Sequence, residues 1–185
     1  VYPGYFYTPF ASISDDFLQN SVTCISPSKA FNIAGLQIAN IVCADESIKS
    51  KIDRAINDNE VCDVNPFGVI ATQAAYNEGE EWLTQLIDYL HNNYCYMKAF
   101  CQENLPMYPI VTLEGTYLVW MDCRAIGLSS EKLEQKLIDK AKLWLNAGTI
   151  YGTDGEGFMR WNIACPRATL KVGLERFTDF VHKLR

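Results

Sequence analysis

A chain of 185 residues, 49% hydrophobic and 21% charged, has the size and balance of one large or two small globular domains with ample core. Its net charge of −6 argues against the basic face that nucleic acid needs, and no apolar run reaches the ~20 residues of a membrane span. Seven cysteines without a Cys-x-x-Cys pair read as free thiols in a reducing, cytoplasmic compartment. The two histidines, His91 and His182, lie in helical patterns among polar neighbours. They read as surface residues and are too few for a histidine zinc site or a Ser-His-Asp triad, so no metal is expected.

Residues 1 to 20 are rich in aromatics and prolines, with too many turn formers for a long element. Tyr5 and Tyr7 could line a pocket there, although packing is the commoner use of such rings. Val22 to Ile25 and Ile38 to Cys43 each read as a short buried strand. Glu46 to Ile56 repeats apolar residues at 48, 52 and 56, an amphipathic helix to cover the sheet. Asn65-Pro66 is a helix start, with Asn as N-cap and Pro at the first helical position, leading into Phe67 to Tyr76.

The longest periodic segment, Glu80 to Leu105, places Trp82, Leu86, Leu90, Tyr94, Met97 and Cys101 on one core-packing stripe. Pro106 and Pro109 end it. Tyr117 to Asp122 follows as a strand, Ser130 to Asn146 as a helix with Leu133, Leu137, Ala141 and Leu145 inward, and Phe158 to Cys165 as a second strand. A closing helix, Arg167 to Leu184, turns Leu170, Leu174, Phe177 and Val181 to one face. The glycines between Gly148 and Gly157 read as a flexible hairpin connection rather than a phosphate loop, because Asp154 and Glu156 would repel phosphate.

Two stretches carry chemistry. Between the first two strands, Ser26-Pro27-Ser28-Lys29-Ala30-Phe31-Asn32-Ile33-Ala34-Gly35-Leu36-Gln37 is a polar loop with one lysine. Loops at strand ends are where α/β sheets bind ligands, and a lysine desolvated there loses part of its preference for the ammonium form. At the reference pKa only roughly one amine in a thousand is neutral at pH 7, so lysine chemistry usually runs through a Schiff base to an aldehyde cofactor. Taken alone, Ser-x-Ser-Lys would read as a solvated loop lysine. The second stretch holds Arg160, an arginine inside an apolar strand. Its burial demands an anion, either a bidentate carboxylate ligand or an internal acid.

Ser-x-Ser-Lys-x-Phe, with Gly-Leu six and seven positions after Lys29, resembles the cofactor-lysine segment of the fold-type I pyridoxal-phosphate enzymes, the aminotransferase class I/II superfamily. Within it, Pro-Ser-Lys-x-Phe-Asn-x-Ala-Gly-Leu-Gln is most similar to the MalY/PatB branch of cystathionine β-lyases. The resemblance implies an α/β fold: the C-terminal part of a large-domain sheet over 1–78, a long interdomain helix over 79–105, and an α+β small domain over 106–185. It implies pyridoxal phosphate held by Lys29, with Ser26 at the cofactor phosphate. Gln37 stands where aminotransferases usually carry the phosphate-pairing Arg or Lys. By the pattern Arg-hydrophobic-Asn-hydrophobic-Ala-Cys-Pro-Arg, Arg160 takes the α-carboxylate of an amino-acid substrate, Arg167 is structural, and Tyr5 lies at the mouth of the site.

In the family, a strand with an Asp for the pyridine nitrogen directly precedes the segment matching Val1 to Gly4. The chain therefore resembles the C-terminal half of a homodimeric enzyme, to be completed by an N-terminal half. The activity implied is C–S β-lysis of cystathionine or a cysteine S-conjugate to a thiol, pyruvate and ammonia. An aminotransferase is the enzymatic alternative, and a fragment or regulatory protein inactive by itself is the other.

Overall fold

The computed structural model describes residues 1–184, a mixed α/β chain in two compact units. One is Phe6–Leu86; the other joins Val1–Tyr5 to the chain from Ile87 onward.

In the first unit a short helix α1 (Asp15–Gln19) is capped by Ser14, whose hydroxyl accepts the Phe17 N–H. Strands β1 (Thr23–Ile25) and β2 (Asn40–Val42) flank the lysine loop and pair antiparallel, with Thr23 opposite Val42 and Ile25 opposite Asn40. The sequence suggests short buried strands; here Ile25, Ile41 and Val42 are about half exposed. Among the described residues no third strand pairs with this ribbon of two three-residue strands, so its outer edges are open. Phe6 and Tyr7 are likewise 95% and 73% exposed, so neither serves as a packing ring within this chain.

Helix α2 (Glu46–Asp58) begins where Asp45 accepts the Ile48 N–H at 2.7 Å. Its stripe of Ile48, Ile52 and Ile56 is half-buried, and no residue of it is sealed from solvent. Helix α3 (Pro66–Glu78) starts as its sequence dictates, with the Asn65 side chain accepting the Phe67 N–H at 3.1 Å. One glycine later, α4 (Glu80–Asn104) begins, and the division between the units falls inside it, after Leu86.

In the second unit, strands β3 (Leu118–Asp122), β4 (Asn146–Ala147) and β5 (Phe158–Asn162) form an antiparallel sheet in the order β3-β5-β4. Alternation turns Val119, Met121, Met159 and Trp161 into the core. Helix α6 (Arg167–Lys183) meets them with Leu170, Leu174, Phe177 and Val181, and the Phe177 ring stands edge-on to Trp161 and Tyr108, both at 5.8 Å. From α4 come Leu90, Tyr94, Met97 and Cys101, with Met97 fully buried. Tyr2 is buried too. Its ring packs tilted against His91 at 5.0 Å and its hydroxyl donates to the Thr116 carbonyl at 2.5 Å, so His91 is a half-buried packing residue rather than a surface one.

The segment 130–146 departs from a single helix. Helix α5 (Ser130–Lys136) widens into a π turn over Leu137–Ala141, which closes at Lys142 with φ 53°, and the Leu143 N–H reaches back to the Leu137 carbonyl at 3.1 Å. Leu145 remains buried, so the four-residue spacing survives although the backbone has become extended by Asn146. The glycines that follow are not a flexible link. Gly148 and Gly155 lie in two short 3₁₀ turns, where a Cβ on either would run into the other's backbone carbonyl. Among the described residues no helix is long and apolar enough to cross a membrane.

Candidate functional site

In the first unit, the lysine loop is held from both ends. The Ser26 hydroxyl donates to the Ile38 carbonyl at 2.6 Å and accepts the Ser28 N–H at 3.2 Å. Successive turns, from Phe31 N–H to the Pro27 carbonyl and from Ile33 N–H to the Ser28 carbonyl, coil residues 27–33. Pro27 is fully buried beneath them. Helix α3 grips the far end: the Asn65 amide donates to the Leu36 carbonyl at 3.2 Å, and Gly68 lets the helix approach so closely that a Cβ would stand 3.1 Å from Leu36 O and from Ile38 Cβ. Phe31 stacks on Trp82 at 5.7 Å and sits edge-on to Tyr76 at 6.3 Å. A Cβ on Gly79 would press into its ring, so the junction of α3 and α4 seats the loop two residues beyond Lys29.

Lys29 stands exposed on this scaffold, at the end of β1 as the strand pattern predicts. The desolvation expected from the sequence is absent, for the same reason that β1 and β2 are open. Its amine makes no hydrogen bond or ion pair among the described residues. Gln37 closes the loop in the left-handed region, with φ 50° and ψ 52°. A side chain with a Cβ is uncommon there, and such strain clusters at ligand sites. Asn32 shares the conformation at φ 55°, which asparagine tolerates better.

The donor set fits a phosphate-bearing aldehyde. Lys29 is the one charged residue in 21–44, so no carboxylate of that stretch opposes an anion. Asn40, paired with Ile25 at the mouth of the loop, buries its amide nitrogen without an acceptor. Ser26 fits after a rotation, because its proton is committed to Ile38.

In the second unit, Arg160 lies at the middle of β5, with Trp120 of β3 and Asn146 of β4 as its cross-strand partners. Its Nη2 donates to the Asn146 side-chain oxygen at 2.8 Å, and its guanidinium lies 4.5 Å from the centre of the Tyr151 ring. Tyr151 in turn stands edge-on to Trp120 at 5.4 Å. The Nε of Arg160 is buried with no hydrogen-bond partner. Among the described residues no carboxylate forms an ion pair with it, so the internal acid that would explain its burial is not found. A buried guanidinium donor without acceptor or counter-charge is suited to a carboxylate brought from outside. Tyr5, at 38% exposure, belongs to the same unit as Arg160; Ser26, Lys29 and Gln37 belong to the other.

Arg167 is structural, as its place at a helix start suggests. Its Nε donates to the Asn93 side-chain oxygen at 2.7 Å, its N–H donates to the Tyr89 hydroxyl at 2.8 Å, and its guanidinium lies over Tyr96. Asn93 is completely buried and also donates to the Ile163 and Cys165 carbonyls at 2.9 and 3.0 Å. It thereby fastens α4 to the turn that follows the Arg160 strand. Sequence reasoning missed Asn93, Asn146, Tyr151 and Trp120. Strand register alone could have revealed Asn146 and Trp120, and Tyr151 reaches Arg160 from the 3₁₀ turn that follows β4.

The aminotransferase class I and II model matches residues 5–177. The chain belongs to that family. It is 44% identical over 173 residues to the cystathionine beta-lyase PatB of Bacillus subtilis, covering 94% of this chain and 45% of the relative. Among solved structures it resembles cystalysin from Treponema denticola, which contains a pyridoxal 5'-phosphate cofactor, with 32% identity and a TM-score of 0.90 over 100% of this chain and 47% of that one. It also resembles a PLP-bound C-S lyase from Staphylococcus hominis complexed with the inhibitor L-cycloserine, with 34% identity and a TM-score of 0.86 over 97% of this chain and 44% of that one. The chain thus spans about 45% of the length of these relatives.

Proposed function

We propose that this chain supplies the cofactor lysine and the substrate-carboxylate arginine of a pyridoxal-phosphate-dependent C–S β-lyase acting on cystathionine or a cysteine S-conjugate. The observation that carries the reading is Arg160, a partly buried guanidinium in a strand with an unpaired Nε and, among the described residues, no acid to neutralise it. The similarity to PatB and the Staphylococcus lyase supports the choice of reaction.

Lys29 would hold the cofactor through its amine, Ser26 and Gln37 would face its phosphate, and Phe6–Leu86 would belong to the cofactor domain. When bound, the cofactor supplies an electron sink for charge developing at the substrate Cα. Arg160 fixes the substrate carboxylate through its planar fork, with the Tyr151 face and Asn146 holding the guanidinium in place. Lys29, free as an amine once substrate is bound, takes the proton from Cα. The thiolate would leave from Cβ and depart protonated as the thiol, and addition of water to the released enamine would then give pyruvate and ammonia. Tyr5 borders the substrate in this reading, and the working enzyme is a cytoplasmic homodimer containing the N-terminal half.

The test has two arms. Incubation of the chain with pyridoxal phosphate, borohydride reduction and denaturing mass analysis should yield one phosphopyridoxyl adduct on the peptide bearing Lys29; an adduct elsewhere, or none on folded chain, refutes the cofactor assignment. In the enzyme with both halves, Arg160→Ala should lower kcat/KM roughly a hundredfold, about 3 kcal/mol. Unchanged kinetics would make Arg160 structural. Pyruvate release, rather than a new amino acid when a keto acid is supplied, separates lyase from aminotransferase.

A further inference from the structure

Between the π turn and the last turns of α6 lies a cleft of about 370 Å³, within the range of small-molecule sites. Lys136 and Lys140 line it together with Arg176 and Lys183, Asp179 is the single carboxylate among its described lining residues, and the buried Phe180 contributes apolar wall. Across the whole chain 22 carboxylates outnumber 16 lysines and arginines, so four cations around one acid reverse the sign locally. Like charges gathered this way repel, and neighbouring acids ordinarily relieve them. Among the described residues none of the four forms an ion pair, whereas Lys49, Arg54, Arg124 and Lys171 do so elsewhere.

The backbone that presents them is the second observation. Leu137–Ala141 is π-helical, a geometry that is rare and concentrated at functional sites. Lys140 rides on that turn, and Lys136 immediately precedes it. Beyond the turn, the Lys142 carbonyl accepts Arg176 Nη1 at 2.8 Å and so fastens the guanidinium at the rim. A concave surface lined by one sign of charge, with apolar wall behind it, focuses its field on whatever enters.

We propose that this cleft binds a small polyphosphate-bearing molecule, whose several anionic oxygens the four cations grip together. The single acid leaves a surplus of three positive charges, a match for a polyphosphate rather than a monocarboxylate.

The test is calorimetric titration of the full chain with inorganic tripolyphosphate at low ionic strength. One saturable site is expected. Removing two charges with K140A/K183A should weaken affinity by at least about tenfold, and Asp179→Asn should strengthen it severalfold by removing a repulsive charge. All three side chains are exposed, so unchanged far-ultraviolet circular dichroism is expected to accompany both variants. Lys29→Ala should leave the titration as it is, which separates this site from the cofactor loop. No saturable heat, equal affinity in K140A/K183A, loss of binding with Lys29→Ala, or binding of a polyglutamate peptide in place of tripolyphosphate would each overturn the proposal.

Discussion

Replacing Asn93 by alanine removes three hydrogen bonds from a site with no exposure at all. The Ile163 and Cys165 carbonyls each lose a side-chain donor, about 1 kcal/mol apiece. The Arg167 guanidinium loses an acceptor, which for a charged donor is worth roughly 2 kcal/mol. The total destabilisation is about 4 kcal/mol. With a urea m-value of roughly 2 kcal/mol/M, the midpoint should fall by about 2 M. Because the chain has two units, the measurement belongs in a Trp82→Phe background, where Trp120, Trp144 and Trp161 report only on the unit containing Asn93. A shift below roughly 0.5 M, with unchanged m, would show that Asn93 does not fasten α4 to the turn after β5.

Three other parts of the molecule carry equally definite expectations. Gly148→Ala drives a Cβ into the Gly155 and Phe158 carbonyls and should cost about 3 kcal/mol, some 6–12 °C in Tm, while Gly35→Ala, with nothing nearby, should stay within a degree or two. The Arg124 guanidinium, by hydrogen bonding, holds the Asp122 carboxyl below its usual range, so its stabilisation is present above about pH 4 and disappears as pH falls through the lowered value. Asp122→Asn should therefore lower stability by up to ~1 kcal/mol at pH 7 and converge with the parent at strongly acid pH; a constant gap would refute the pairing. Burial pushes the Cys101 thiol up to about 12 and raises that of Cys123 as well, so native protein should resist thiol reagents there. The exposed Cys24, Cys62 and Cys95 should react at once, and peptide mapping after a timed alkylation decides the matter.

What the sequence disclosed was local. Asn65-Pro66 and the Trp82 to Cys101 stripe marked their helices because capping and periodicity act within a few residues. Lys29 was legible as a motif, whereas its openness was not, since an apolar run such as Ile38 to Val42 does not say what covers it. Strand β4 was hidden because Leu137, Ala141 and Leu145 keep a four-residue spacing whether or not the helix continues. With β4 hidden, Asn146 could not be placed opposite Arg160. Asn93 looked like one more polar residue of a long helix; only the fold turns it inward.

The π turn makes this part of the molecule sensitive to chain length. A turn closed over five residues holds one more than an α-helical turn. Dropping a single residue between Leu137 and Lys142 would let α5 run on regularly and rotate everything after it by about 100°. Every lysine could be retained and the cleft beside α6 would still come apart, while Asn146 would leave its register against Arg160. Insertions and deletions, which surface segments usually absorb, should here act as drastically as a core substitution.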